Sequence, residues 1–236
     1  AASAAMFTTN SIVAAPVIIS RENVKSRKIY AVAVNSGNAN ACTGKQGIKD
    51  AEKMSTLTAE LLGCKANQVL VASTGIIGEK LQIDKVKGGI KEAVGKLADT
   101  AEAGHDLAKA IMTTDTRPKE AVKKIRIGST EVVVAGTAKG AGMIGPNMAT
   151  TLSFLTTDAD ISTALLKKAL KNAVANSFNR LTVDIHQSTN DTSVVLASGK
   201  AGNKKINKQD SNYSKFEKAI TAVCDDLARQ MALDAE

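Results

Sequence analysis

Apolar residues recur along this chain in two rhythms. Steps of three and four residues mark helices. Ile48, Ala51, Met54, Leu57 and Leu61 form one amphipathic stripe that stops at Gly63, and Ile83, Val86, Ile90, Val94 and Leu97 form a second. Leu107 to Met112 predicts a short third helix. Ile161, Leu165, Ala169 and Ala173 line a fourth, with Asp160 placed to cap it. Phe216, Ile220, Val223, Leu227 and Met231 line a fifth, which the capping box Ser214-Lys215-Phe216-Glu217 would open. Short apolar or alternating runs predict strands at Val17–Ile19, Ile29–Val34, Val69–Ala72, Val122–Ile127, Glu131–Gly136 and Leu152–Leu155. Gly128-Ser129-Thr130 turns the hairpin between two of these. Arg180–Ile185 and Ser193–Ala197 read as a strand pair, and residues 198–213 as an exposed loop. Strands and helices interleave without an internal repeat, so the class is α/β or α+β.

Composition narrows the picture. The 236 residues suffice for one large or two small domains with a sizeable core. A net charge of +8 raises the question of nucleic acid, but the lysines are dispersed over 123–124, 167–171 and 204–208, and aromatics make only 3%. A solvated lysine-rich surface that attracts small carboxylates fits better, so no nucleic-acid partner is expected. Cys42, Cys64 and Cys224 form no Cys-x-x-Cys, and there are two histidines, His105 and His186. Buried reduced thiols, a cytoplasmic location and no metal site are the expectations. No apolar run approaches the ~20 residues that span a bilayer, and Ala1–Met6 lacks the basic start of a signal peptide. No P-loop sequence occurs, which removes support from P-loop nucleotide folds.

One stretch stands out chemically. Residues 139–150 read Lys-Gly-Ala-Gly-Met-Ile-Gly-Pro-Asn-Met-Ala-Thr, a glycine loop followed by a small-to-hydroxyl step and an apolar run. A threonine is a poor nucleophile unless a base stands beside it. Cutting the chain before Thr150 would supply that base as its own α-amine, with an ordinary pKa of about 8. At the end of the strand over Val69–Ala72, Thr74-Gly75 can point a hydroxyl and an amide at one spot, the donor pair an oxyanion needs.

The stretch 139–150 resembles the autoprocessing segment of the bifunctional ornithine acetyltransferase/N-acetylglutamate synthase family of arginine biosynthesis. Further matches fall in family order: Phe7–Asn10, Ala15–Val17, Val34–Gly44, Ser73–Gly78, Met112–Thr116, Ser177–Arg180 and Ser188–Thr192. The resemblance implies layered sheets sandwiched by helices, in an N-terminal-nucleophile fold that cleaves itself between Ala149 and Thr150. It implies a division of the chain into 1–149, the α-chain portion, and 150–236, the start of the β chain, whose remaining C-terminal part is absent from this sequence. It also implies that the α and β chains of the same precursor assemble as a heterotetramer. Thr150 would carry acetyl from N2-acetylornithine to glutamate, with Thr74 and Gly75 as oxyanion donors. Thr113, Lys139 and Glu236 would contact substrate, with Thr114 the alternative to Thr113 if the register shifts by one. No cofactor is implied, and acetyl-CoA is an alternative acetyl donor.

The chain departs from the family's pattern in three places. Ile185-His186-Gln187 replaces the usual Gly-Asp, and an Ile does not readily adopt the positive φ that glycine supplies. Ala141 replaces a usual Ser, and Ala235 replaces the Gly of Asp-Gly-Glu. Three rival classes stand against this reading: an N-terminal-nucleophile hydrolase or aminopeptidase, an inactive structural homologue, and a basic nucleic-acid-binding domain.

Overall fold

The strand that begins just after Thr150, β6 (Leu152–Thr157), lies inside a five-stranded sheet. The structure, a computed structural model, describes residues 2–26, 28–145 and 151–235. Strand β6 pairs antiparallel with β5 (Thr130–Lys139) and parallel with β7 (Thr192–Ala197). The sheet is completed by β1 (Ala2–Phe7) against β7 and β4 (Lys119–Ile127) against β5, in the order β1-β7-β6-β5-β4. A cut before Thr150 would therefore leave two segments that share one sheet, β1, β4 and β5 in the first and β6 and β7 in the second.

A second, two-stranded parallel sheet joins β2 (Ala31–Asn35) to β3 (Val69–Ser73). Side chains alternate across a strand, and here that alternation builds layers. Leu70 and Ala72 of β3 meet Leu152 and Phe154 of β6 and Val194 of β7, so the two sheets face each other. Val69 and Val71 point the other way, to Ala51, Met54 and Ala59 of α2 (Gly44–Leu62) and Ile90 of α3 (Ile83–Gly95). The opposite face of the large sheet presents Val132, Val134, Leu155 and Val195 to α5 (Thr163–Asn176) and α6 (Ser211–Ala232). The result is four layers: helices, small sheet, large sheet, helices. Phe216, Ile220, Val223, Leu227 and Met231 of α6 are at most 2% exposed. Burying side chains of this size is worth about 1.5–3 kcal/mol each.

Several expectations give way to the structure. Val17–Ile19 lies in a helix, α1 (Ala15–Asn23), where Pro16 occupies the first turn and needs no hydrogen-bond donor. Its Ser20 hydroxyl both donates to the Val71 carbonyl and accepts from the Val71 amide, tying α1 to β3. The short helix expected at 107–112 begins earlier, as α4 (Ala101–Ala110), because Thr100 caps it by accepting from the Ala103 amide. Ser162, not Asp160, caps α5, and Asp210, not Ser214, caps α6. The strand expected over 180–185 is absent, and β7 pairs with β1 and β6 instead. The loop 198–213 carries buried anchors, Asn203 and Ile206. Of the three thiols only Cys224 is buried; Cys42 is exposed and Cys64 half-buried.

Candidate active site

The first wall of the site grows from the end of β3. The Thr74 amide donates to the Asn35 carbonyl at 3.1 Å, and the Ser73 hydroxyl donates to Asn35 Oδ1 at 2.6 Å. Gly75 follows with φ +127°, and a Cβ there would lie 2.2 Å from the Gly37 carbonyl carbon and 2.5 Å from the Asn38 nitrogen. Only glycine allows this approach of the loops after β2 and β3. The Asn190 carboxamide braces them from below, donating to Ala39 O at 2.6 Å and Ser73 O at 2.8 Å. Thr74 is 5% exposed, and its hydroxyl makes no hydrogen bond among the described residues.

The second wall is held by buried charge. Lys139 ends β5, and its ammonium donates to Thr113 Oγ1 at 3.1 Å. Both residues are tied to Asp115, which accepts the Thr113 amide at 3.1 Å and the Gly140 amide at 2.7 Å. Lys119 lies between Asp115 and Asp234, 2.6 Å from a carboxylate oxygen of each, and all three side chains are at most 3% exposed. Asp234 also accepts the Thr116 amide and hydroxyl. Burial alone would raise both carboxyls, but the Lys119 ammonium and these donors outweigh it. Asp115 is lowered, and Asp234 is held at about 2. An ion triad thus fixes where Thr113 and Lys139 stand.

The glycine segment after Lys139 forms the rim. Met143 has φ 55°, and its amide donates to Asp184 Oδ2 at 2.7 Å. The Ile144 carbonyl accepts the Val183 and Asp184 amides. A Cβ on Gly145 would stand 2.7 Å from the Ile185 carbonyl oxygen, so this contact too requires glycine. Ile185 nevertheless takes the positive φ, at 61°, with its side chain 78% exposed. The neighbouring hydrogen bonds hold the backbone where an isoleucine would not choose to be. His186 stays at the surface, 3.4 Å from Asp184, and does not line the cleft.

Between these walls lies a cleft of about 640 Å³, lined by Ser36, Thr74, Gly75, Thr113, Lys139 and Asn190 among others. The structure therefore brings together Thr74, Gly75, Thr113 and Lys139, and Thr114 shares the same wall. Ala149, Thr150 and Glu236 lie outside the described residues. Next to them in the chain, Thr151 donates its amide to Asp191 Oδ1 at 3.1 Å, and Asp234 sits on Lys119. Sequence reasoning passed over Asp115, Lys119, Asp191 and Asp234. Asp115 and Asp191 fall inside stretches already singled out, which was a usable signal. Lys119 carries none, since a lysine beside a proline reads as surface.

Comparison with known proteins places these features in context. The ArgJ family matches residues 1–236. An arginine biosynthesis bifunctional protein ArgJ from Symbiobacterium thermophilum is 48% identical over 235 residues, which are 100% of this chain and 58% of the relative. Among solved structures, an arginine biosynthesis bifunctional protein from Bacillus halodurans is similar at 42% identity and a TM-score of 0.57, covering 62% of this chain and 75% of that one. An ornithine acetyltransferase from Mycobacterium tuberculosis, solved in complex with ornithine, is 32% identical with a TM-score of 0.54, covering 64% of this chain and 79% of that one. The chain thus spans less than three-fifths of the length of the curated relative it matches.

Proposed function

Because this chain belongs to the ArgJ family, we propose that it is the self-cleaving part of an acetyltransferase that moves acetyl from N2-acetylornithine to glutamate. The observation that carries the reading is the meeting of Lys139 with Thr113, in the same cleft as Thr74-Gly75 and directly upstream of the segment that ends at Thr150. A buried ammonium beside a hydroxyl suits a substrate carboxylate, and the Thr74 hydroxyl and Gly75 amide suit a developing oxyanion.

In maturation the Thr150 hydroxyl attacks the Ala149 carbonyl carbon. The C–N bond breaks, the nitrogen takes the proton, and the chain is held as an ester. Water then hydrolyses the ester, releasing the Ala149 carboxylate and restoring the hydroxyl beside a free α-amine. In turnover that amine accepts the hydroxyl proton as oxygen attacks the acetyl carbonyl of N2-acetylornithine. The proton passes to the departing ornithine nitrogen. Glutamate enters, its amine attacks the acetyl ester, and Thr150 regains its proton. Glu236 would pair with the substrate's ammonium. The reading needs no cofactor, with acetyl-CoA as an alternative donor, and it places the two cleaved chains in a cytoplasmic heterotetramer. Among the described residues no helix is long and apolar enough to cross a membrane.

The test is acetyl transfer by the purified protein with and without glutamate. N-acetylglutamate should form in step with ornithine release, and turnover should stop when glutamate is withheld. Continuous release of free acetate at the same rate without glutamate would instead make it a hydrolase.

A further inference from the structure

The peptide unit that leads into the oxyanion donors is clamped at both ends. Its N–H, that of Thr74, donates to the Asn35 carbonyl at 3.1 Å. Its carbonyl, that of Ser73, accepts from Asn190 Nδ2 at 2.8 Å. A peptide unit is planar, so one bond to its oxygen and one to its nitrogen fix its tilt. That tilt sets the direction in which the Thr74 side chain and the Gly75 amide leave it. Asn190 Nδ2 donates a second time, to Ala39 O at 2.6 Å. The Ala39 amide in turn donates to the Ile76 carbonyl at 2.9 Å. One carboxamide therefore grips the Thr74-Gly75 pair on both flanks, directly at Ser73 and through Ala39 at Ile76.

The grip is long-range and itself oriented. Asn190 reaches Ser73 across 117 residues of sequence and Ala39 across 151. It lines the cleft yet is only 6% exposed. The Thr189 hydroxyl donates to its Oδ1 at 2.5 Å, and its own amide donates to Ser188 Oγ at 3.0 Å. Turned over, the carboxamide would set its oxygen against two carbonyl oxygens, so the Thr189 bond holds the productive orientation. With both side-chain N–H groups engaged by main-chain carbonyls, Asn190 has no donor left for a substrate. A side chain without this amide would leave the buried Ser73 and Ala39 carbonyls short of a partner.

Resting on the oxyanion role given to Thr74 and Gly75 above, we propose that Asn190 is the positioning residue of the oxyanion donors. Its carboxamide sets the loops after β2 and β3 at the separation that brings the Thr74 hydroxyl and the Gly75 amide to one spot. Such donors work only when aimed at the place where charge develops, and a misplacement of about 1 Å can cost about 10²-fold in rate. The brace acts on turnover. Holding the substrate carboxylate falls to Lys139 and Thr113 on the other wall.

The experiment is a double-mutant cycle on acetyl transfer, with rates divided by the fraction of cut chain found by mass. Asn190→Ala should lower kcat by about 10²-fold, with KM for N2-acetylornithine little changed. In the Thr74→Ala background the same substitution should cost about tenfold at most, because one of the two donors it positions is already gone. Thr189→Val keeps the carboxamide but frees it to turn, and should show the same coupling with a smaller factor. It decides the question if Asn190→Ala does not fold. Equal factors in the two backgrounds would mean general support of the fold and overturn the assignment, as would a raised KM at unchanged kcat. If Thr74→Ala alone leaves kcat unchanged, the oxyanion reading falls and the Asn190 role with it. A slow Thr74→Ala whose loss simply multiplies with that of Asn190→Ala overturns the Asn190 role only.

Discussion

Replacing Lys119 with Met removes one ammonium and keeps most of the side chain's length. In the folded protein that ammonium lies 2.6 Å from Asp115 Oδ1 and 2.6 Å from Asp234 Oδ2, with the three side chains 1%, 0% and 3% exposed. The variant leaves two carboxylates buried together without a cation. Breaking a buried pair by removing one partner costs about 3–5 kcal/mol. For a chain of this size each kcal/mol lowers Tm by about 2–4 °C, so the midpoint should drop by roughly 6–20 °C. The pH dependence identifies the cause. Both carboxyls sit below their ordinary values when folded, Asp234 at about 2. Their contribution is therefore present above the unfolded value of about 4 and is lost as pH falls toward 2. Without the ammonium, burial raises both, and each then costs stability as pH rises past the unfolded value. The deficit of Lys119→Met should be full at pH 7 and shrink below about pH 4. Adding Asp234→Asn to the variant should return part of the loss at pH 7. Thermal melts of the three proteins at pH 3, 5 and 7 measure this. A deficit that is the same at every pH would mean lost packing and not lost charge, and would refute the reasoning.

Two further predictions follow from single positions. Ile185 holds φ 61° with an exposed side chain, so Ile185→Gly should relieve about 1–3 kcal/mol of strain against about 0.5–1 kcal/mol of added chain entropy. Its Tm should rise, and a fall would show that the isoleucine makes a contact worth more than the strain. Thr74→Ala should slow both self-cleavage and acetyl transfer by about 10²–10³, the loss typical of one oxyanion donor, with an unchanged melting curve. Time-resolved mass spectrometry and initial rates on one preparation measure both, and normal cleavage with slow transfer would assign the two steps to different donors.

The periodic signals in the sequence were strongest where one side chain set faces one layer. The stripes at Ile48–Leu61 and Phe216–Met231 survive as α2 and α6 because helix spacing alone gathers their core residues. Val17–Ile19 failed since three apolar residues fit either state, and the deciding contact, Ser20 to Val71, is 51 residues away. Strand β1 went unread because its alanines carry little apolar signal, and only pairing with β7 makes it a strand. In the site, motif resemblance reached the residues whose chemistry shows in their type: Thr74, Gly75, Thr113 and Lys139. The charges that hold them were not legible, since a lysine and two aspartates 4 and 115 residues from it carry no mark of being buried together. Folding is what turns Lys119 from a surface residue into the centre of a triad.

Whether Thr150 carries acetyl at a new chain terminus is decided by mass spectrometry. The purified protein is incubated with N2-acetylornithine in the absence of glutamate, and its chains are weighed and sequenced from their N-termini. A chain beginning Thr150-Thr151-Leu152 and carrying a single acetyl group is the expected result, with glutamate removing the group and yielding N-acetylglutamate. An uncut chain, or a cut chain that stays unacetylated while transfer proceeds with intersecting initial-rate plots, would contradict it.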